Sequence, residues 1–320
     1  MKKNLLLLII FCTVISFSCI SQNLASKNDK VDEYVKSLGA LNNNNVATIA
    51  DTITRGFAGK EDKARAIFYW VSNNISWDLK AMKANDNKNS DPVLVVKFRK
   101  ATGLGYSLLV QEMCSQANIR CLSVDGYTKN FPEEINNKPD EINHSWNVVQ
   151  LGQSPEQWFY IDAAKASGFA DKKLNLFVKY FTSEYFFANK TLFNLNHYPN
   201  NAAWQLGGGP KNIKDFYALP VISNAAFEYG LQKLQPNTGF IKTKTKNVST
   251  FSYVYNGKEL SSITLIIGDS KKENNPLPMN FSASGKIISF SYQFKKEDEY
   301  PVKVLIDGKE LISYYAEVSE

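Results

Sequence analysis

The run HSWNVVQL at residues 144–151, followed after a short turn by QWFYID at residues 157–162, decides the fold of this chain. Both runs are rich in β-branched and aromatic residues, and the turn residues between them predict an antiparallel hairpin. The run CLSVDGY at residues 121–127 predicts a further strand. Such a hairpin would bring His144, at its start, next to Asp162, at its end.

Upstream of these strands the pattern becomes helical. Apolar residues recur at helical spacing from Ala64 to Ile75, and acidic residues in the first turn favour a helix that begins near Glu61. The run KATGLGY at residues 100–106 contains two glycines in three residues, which predicts a tight turn. A second helix is predicted after it, over residues 107–117.

The C-terminal part changes in character. After residue 236, short alternating runs are separated by turn signals such as Asn256-Gly257 and Asp307-Gly308, which predicts a small all-β, immunoglobulin-like sandwich. The expected organisation is a signal peptide (1–21), an N-terminal helical segment (22–59), a main α+β domain (60–235) and the β-sandwich domain (236–320).

The N-terminus has an export pattern. Two lysines precede an apolar run from Leu5 to Ile15, and small or polar residues follow, which predicts a signal peptide rather than a membrane span. Cys19 leaves the alternative of a lipoprotein signal, and membrane attachment is expected only if Cys19 is lipidated. We therefore expect a secreted, periplasmic or other cell-envelope protein.

Composition narrows the chemistry. The net charge of +6 favours solubility. The sequence lacks a basic cluster with interleaved aromatic residues, so it does not indicate nucleic-acid binding. Cys114 and Cys121 could pair in an oxidising compartment or be buried free thiols. The chain has no Cys-x-x-Cys, and its two histidines are His144 and His197, so we expect neither a metal nor a cofactor.

An ordered set of motifs runs through residues 60–220: ARAIFYWV (64–71), GYS (105–107), NHSWN (143–147), WFYIDA (158–163), and downstream HYP (197–199) and WQL (204–206). Through these motifs the region resembles the transglutaminase-like superfamily, and in particular its kyphoscoliosis-peptidase type. The resemblance implies a papain-like α+β domain whose site combines a cysteine at a helix N-terminus with a histidine and an aspartate on neighbouring strands.

Each family residue has a chemical reason. A helix N-terminus favours a thiolate, a histidine accepts the thiol proton, and a carboxylate orients the imidazole. Carried over, the resemblance makes His144 and Asp162 the histidine–aspartate pair. The nucleophile stands two residues before the Gly-Tyr pair of the family pattern, and that position is Gly103 here. Leu104, Tyr106 and Trp146 are then expected to line the cleft.

Three functions remain open at this point. Because glycine cannot attack a carbonyl, the favoured hypothesis is a catalytically inactive protein whose cleft binds a peptide or protein partner, possibly in the cell envelope. The alternative is an active cysteine-protease-like or transglutaminase-like enzyme with an unrecognised nucleophile, for which Thr102 and Ser107 are the nearest hydroxyls. A purely structural protein with a collapsed cleft is the third hypothesis, although Gly103 is expected to leave space. His197 is interpreted as structural.

Overall fold

The computed structural model describes residues 18–39, 41–42, 45–152, 157–268 and 276–320. Residues 1–17 of the predicted signal peptide therefore lie outside the described residues. In the described ranges, no helix combines the length and the apolar character needed to cross a membrane.

The helices of the described ranges lie mostly in the first two thirds of the chain. They are α1 (Ser18–Ser37), α2 (Val46–Thr54), α3 (Lys60–Asn74), α4 (Leu79–Lys83), α5 (Pro92–Phe98), α6 (Gly103–Gln116), α7 (Ala163–Ser167), α8 (Lys190–Asn196), α9 (Ile213–Ala218) and α10 (Asn224–Glu228), with 3-10 turns at Pro132–Glu134 and Ala202–Trp204.

The strands fall into a central group and a C-terminal group. The first group is β1 (Ser76–Trp77), β2 (Lys100–Ala101), β3 (Arg120–Thr128), β4 (His144–Leu151), β5 (Gln157–Ile161), β6 (Gly168–Ala170), β7 (Phe177–Lys179) and β8 (His197–Pro199). The second is β9 (Val221–Ile222), β10 (Lys233–Gln235), β11 (Phe240–Lys244), β12 (Val248–Val254), β13 (Ile263–Ile267), β14 (Leu277–Pro278), β15 (Phe281–Ser284), β16 (Ile287–Gln293), β17 (Asp298–Ile306) and β18 (Lys309–Ser319).

The central sheet has the order β5-β4-β3-β8, and all its neighbours are antiparallel. The predicted strands over 121–127, 144–151 and 157–162 are confirmed within one residue. Helix α6 packs on β3 and β4, and α3, the predicted amphipathic helix, packs in turn on α6. Their apolar faces form one core with the sheet. This packing of helices on the sheet determines the position of the first residue of α6 beside β4.

The tight turn predicted over residues 100–106 is wrong, because α6 already begins at Gly103. Gly105 lies inside the helix, where a side chain would begin 2.9 Å from the Cβ of Ala101 and 3.1 Å from Val95. The second glycine therefore permits close packing rather than a turn. Two glycines this close together predict a turn, but here they lie in the first turn of a helix that packs closely on its neighbours.

The C-terminal region consists of two sheets of mostly antiparallel strands. One has the order β10-β12-β16-β15, and the other has the order β11-β18-β17-β13-β14 with β9 also paired to β18. The sheets pack face to face where Phe251 lies 5.7 Å from Tyr314 between ring centroids. The predicted α+β core followed by a β region is thus confirmed. The immunoglobulin-like assignment stays a prediction. Strand β10, which ends just before residue 236, pairs with β12 in the first of these sheets.

Candidate functional site

The register of the central sheet brings both histidines to one face. His144 on β4 pairs with Gly126 of β3, and His197 on β8 pairs with Thr128 of β3. Paired residues of antiparallel strands share a face, and so do residues two apart on one strand. The two imidazoles therefore lie on the same face of the sheet, with their ring centroids 5.6 Å apart.

Asp162 joins the two imidazoles. It follows the last residue of β5, is 1% exposed, and caps α7 through Oδ1, which accepts the Lys165 backbone N–H at 2.8 Å. Its Oδ2 lies 2.7 Å from Nε2 of His144 and 2.9 Å from Nε2 of His197. The structure thus brings the sequence-predicted His144 and Asp162 into direct contact and adds His197 to them.

The charges of this cluster follow from its burial. Burial opposes ionisation of Asp162, but the charge and hydrogen bond of His144, together with those of His197, outweigh it and hold the pKa of Asp162 well below its usual range. Burial lowers the pKa of His197 to about 4, although the hydrogen bond that His197 donates to Asp162 opposes this shift. Asp162 is therefore an anion and His197 a neutral imidazole near neutral pH.

The same three side chains could hold a metal ion, since one ligand atom of each lies within 4.8 Å of the others. A histidine that binds a metal through Nε2 carries its proton on Nδ1 and needs an acceptor there. Nδ1 of His197 is buried and has no hydrogen-bond partner within the part of the chain that the structure describes. This fits a tautomer with the proton on Nε2, which donates to Asp162, and it disfavours a metal at this place.

The other nitrogen of His144 faces the start of α6. A side chain at Gly103 would begin 2.6 Å from Nδ1 and 3.1 Å from Cε1 of His144, and 3.3 Å from the backbone nitrogen of Ser145. A Cβ atom essentially never lies that close to a ring atom. The expectation that Gly103 leaves free space is therefore wrong at this point, because the imidazole of His144 lies in it.

A cleft of about 460 Å³ opens beside this contact. Gly103, Leu104 and His144 line it, as expected. Tyr106 and Trp146 do not, which corrects the sequence prediction: each is 1% exposed. Tyr106 lies one helical turn deeper and donates to the carbonyl of Ile75 at 2.7 Å. Trp146 lies two residues further along the strand than His144, in an edge-to-face contact with the ring of His197 at 5.0 Å between centroids.

The hydroxyls near Gly103 are engaged elsewhere. Thr102 donates to Oδ1 of Asn87 at 2.6 Å, and Ser107 donates to the carbonyl of Leu104 at 2.9 Å. Ser145 lines the cleft but donates to Oδ1 of Asp125 at 2.7 Å. None of these three hydroxyls forms a hydrogen bond with His144, so none has the contact that a base-activated nucleophile needs.

Cys114 and Cys121 are buried free thiols. Burial, reinforced by the contact with Cys114, raises the pKa of Cys121 well above its usual value. A thiol in this state is a poor nucleophile. The sequence left open either a disulfide between Cys114 and Cys121 or two free thiols, and the structure has the free thiols.

His197 is the site residue that sequence reasoning missed. It was interpreted as structural, and its full burial supports a packing role, since its ring stacks on Phe193 at 3.8 Å between centroids. It also donates to the carboxylate that holds His144. The available signal was its rarity, because the chain has two histidines and both reach Asp162.

Comparison with known proteins finds similarity in the region that contains His144 and Asp162. Residues 47–163 match the family model of the transglutaminase-like superfamily. Kyphoscoliosis peptidase of Mus musculus and that of Homo sapiens are each 26% identical over 208 residues, which covers 62% of this chain and 31% of theirs. Hillarin of Drosophila melanogaster is 26% identical over 183 residues, which covers 53% of this chain and 22% of its own.

The chain thus spans about a third or less of the length of these relatives. The crystal structure of a TGase is 16% identical with a TM-score of 0.28, over 48% of this chain and 34% of that one, and a likeness at this level carries no functional argument. The matched residues contain α6, β3, β4, β5 and Asp162, whereas β8 with His197 lies outside them. The chain therefore contains a transglutaminase-like core over residues 47–163 and is distantly similar to kyphoscoliosis peptidase.

Proposed function

We propose that this chain is a catalytically inert transglutaminase-like protein whose cleft holds a peptide or protein segment without cleaving or cross-linking it. The observation that carries the proposal is the contact between His144 and Gly103. Nδ1 of His144 faces the first residue of α6, where a nucleophile would stand, and that residue has no side chain. Because the His144–Asp162 pair is present, the missing group is the nucleophile alone.

The cleft itself supports a binding role. Its volume of about 460 Å³ lies within the usual range of ligand pockets. Apolar side chains line part of it, including Trp77, Leu104, Ile142 and Leu174. Polar groups of Asn143 and Ser145 stand among them. Such a mixture suits an extended peptide, whose side chains need apolar contacts and whose backbone needs hydrogen bonds.

A restored nucleophile tests the proposal. In Gly103→Cys, the new thiol stands at the start of α6 beside His144, so we expect fast alkylation by iodoacetamide at mildly acidic pH. Mass spectrometry locates the label on residue 103. The Cβ of residue 103 must first displace the ring of His144, and Gly103→Cys combined with His144→Ala is the matched control, in which alkylation should be slow.

The native protein provides the second comparison. We expect no alkylation of Cys114 or Cys121 before unfolding, because both are buried. We also expect no release of product from a mixed pool of peptides incubated with the native chain. Turnover by the native chain that disappears in His144→Ala would show an active enzyme and refute the proposal. Equal alkylation rates in Gly103→Cys with and without His144 would show that residue 103 is not the nucleophile position.

A further inference from the structure

The hairpin of β6 and β7 presents an apolar face to solvent. Phe169 pairs with Val178, so their side chains share one face of the hairpin. Leu176 and Tyr180 lie two residues to either side of Val178 on the same face, and backbone hydrogen bonds extend the ladder to both positions. Phe169, Leu176, Val178 and Tyr180 are 51%, 60%, 37% and 47% exposed. We call these four residues the outer face.

The polar and apolar positions of this hairpin are inverted relative to an ordinary surface hairpin. A strand with one solvated face usually has apolar residues toward the core and polar residues toward water. Here the opposite face carries Phe177, which stacks on Trp77 at 6.0 Å between ring centroids. The same face carries Lys179, which donates to the carbonyl of Asn73 in the last turn of α3. The charged residue of β7 is thus on the opposite face, and all four residues of the outer face are aliphatic or aromatic.

The clustering of these side chains indicates an interaction surface. Ten large apolar side chains are exposed in the described ranges, and four of them form the outer face. Scattered exposed residues need no explanation, whereas a contiguous patch often marks a binding surface. Four half-exposed side chains of this size present roughly 400 Å². Each partner of a typical stable protein complex contributes about 800 Å², so the outer face alone is too small for a stable dimer.

The turn that joins the two strands is rich in lysine. It contains Lys172 and Lys173, both exposed, and the exposed Lys83 of α4 donates to the turn at 2.6 Å. Two carboxylates lie in the same place. Glu133 pairs with Lys172 at 2.6 Å, and Oδ1 of Asp171 accepts two backbone N–H groups of the turn. The lysines therefore outnumber the carboxylates, and the charge beside the outer face is positive.

An apolar patch with lysines beside it fits an anionic lipid surface. Aromatic and aliphatic side chains enter the boundary between headgroups and acyl chains, while lysine ammonium groups stay among the lipid phosphates. Each lysine near an anionic bilayer adds an attraction that falls off within a Debye length. Because insertion into lipid needs no matched protein surface, the small area of the outer face is compatible with this kind of binding.

We propose that the outer face of the β6–β7 hairpin is a membrane-contact surface that binds an anionic lipid bilayer. The proposal goes beyond the proposed function, because it rests on the hairpin and not on His144 or residue 103. It also differs from an anchor at Cys19, since it requires no acyl chain. Leu174, in the turn of the hairpin, lines the cleft, so this contact would place the cleft beside the lipid surface.

Vesicle sedimentation of the full chain tests the proposal, with Cys19→Ser in every sample to exclude acylation. Vesicles of equal parts phosphatidylcholine and phosphatidylglycerol should bind more chain than vesicles of phosphatidylcholine alone. Phe169→Ser combined with Leu176→Ser should weaken binding to the mixed vesicles about tenfold or more, because two apolar side chains no longer leave water. Phe98→Ser is the matched control, since Phe98 is 50% exposed on α5, and it should leave binding unchanged.

Two further measurements assign the binding to the hairpin. The apolar run at residues 5–15 is common to every sample, and hydrogen exchange with mass spectrometry separates its contribution. Mixed vesicles should slow hydrogen exchange over residues 168–180. Lys172→Gln combined with Lys173→Gln should reduce the preference for mixed vesicles several-fold. Circular dichroism of every variant checks that it is folded.

Three results would overturn the membrane-contact surface. They are no greater weakening by the double serine variant than by Phe98→Ser, unchanged exchange over residues 168–180 when vesicles are added, and equal binding to both kinds of vesicle. Self-association of the chain that the double serine variant abolishes would assign the outer face to a second copy of the chain instead. None of these results bears on the alkylation of Gly103→Cys, so the proposed function is tested separately.

Discussion

The sheet side and the helix side of the candidate site are built differently, although they meet in one cleft. On the sheet side, His144, Asp162 and His197 form a continuous hydrogen-bonded cluster in the protein interior. On the helix side, α6 begins with Gly103 and offers backbone alone. The difference has a physical reason. Asp162 also caps α7 and satisfies two buried imidazoles, so the fold depends on it, whereas a nucleophile at residue 103 would contribute little to packing.

The largest expected effect lies on the sheet side. Asp162→Ala should lower the free energy of unfolding by about 3–5 kcal/mol, because it leaves two buried imidazoles without their acceptor and α7 without its cap. Urea denaturation of the full chain measures it. Asp51→Ala is the control, since that side chain is 72% exposed and pairs with Arg55 at the surface, where a loss below about 0.5 kcal/mol is expected. A similar loss in both variants would contradict the structural role given to Asp162.

The pH dependence of the free energy of unfolding tests the protonation state of His197 on the sheet side. His197 has a pKa of about 4 in the folded chain and an ordinary value of 6.5, so the unfolded chain binds more protons between these values. Stability should therefore fall by up to about 3 kcal/mol as the pH drops from about 6.5 to about 4. His197→Gln should lack this part of the slope. The depressed pKa of Asp162 places its own loss of stability at still lower pH.

Thermal or urea unfolding at several pH values gives the slopes of both proteins. Parallel slopes for the native chain and His197→Gln between pH 4 and about 6.5 would show that His197 does not titrate as the buried neutral group described above.

A smaller effect is expected where α6 contributes packing. The hydroxyl of Tyr106 donates to the carbonyl of Ile75 at 2.7 Å and lies 3.1 Å from Oγ of Ser167. Tyr106→Phe should lower the free energy of unfolding by about 1–2 kcal/mol, because it leaves buried acceptors without a donor. Tyr180→Phe is the matched control, since Tyr180 is 47% exposed, and it should change little. No difference between the two variants would mean that Tyr106 is less buried than described.

The smallest effect belongs to residue 103 itself. In Gly103→Ala, alanine favours the helix, but its Cβ displaces His144, so the free energy of unfolding should change by less than about 1 kcal/mol. The change should be seen instead in the NMR signals of the His144–Asp162 hydrogen bond. A loss of stability as large as that of Asp162→Ala would show that both sides of the site are equally structural.

Local pattern was enough for much of the fold. The alternation of HSWNVVQL and QWFYI predicted β4 and β5, and the helical spacing from Ala64 to Ile75 predicted α3. The turn predicted at residues 100–106 failed, because two glycines look alike in a turn and in a tightly packed helix start. The cleft lining failed for Tyr106 and Trp146 because aromatic residues next to a site are as easily buried beneath it as exposed in it.

The sequence by itself determined the order of the elements, the neighbouring positions of His144 and Asp162, and the glycine at residue 103, since hydrophobic period and residue identity are local properties. Only the tertiary structure decided that His197 reaches Asp162 and that His144 lies in the space beside Gly103. It also decided that acidic residues line the same cleft as the start of α6. These contacts depend on which strand pairs with β3 and on how α6 is rotated on the sheet, and long-range packing sets both.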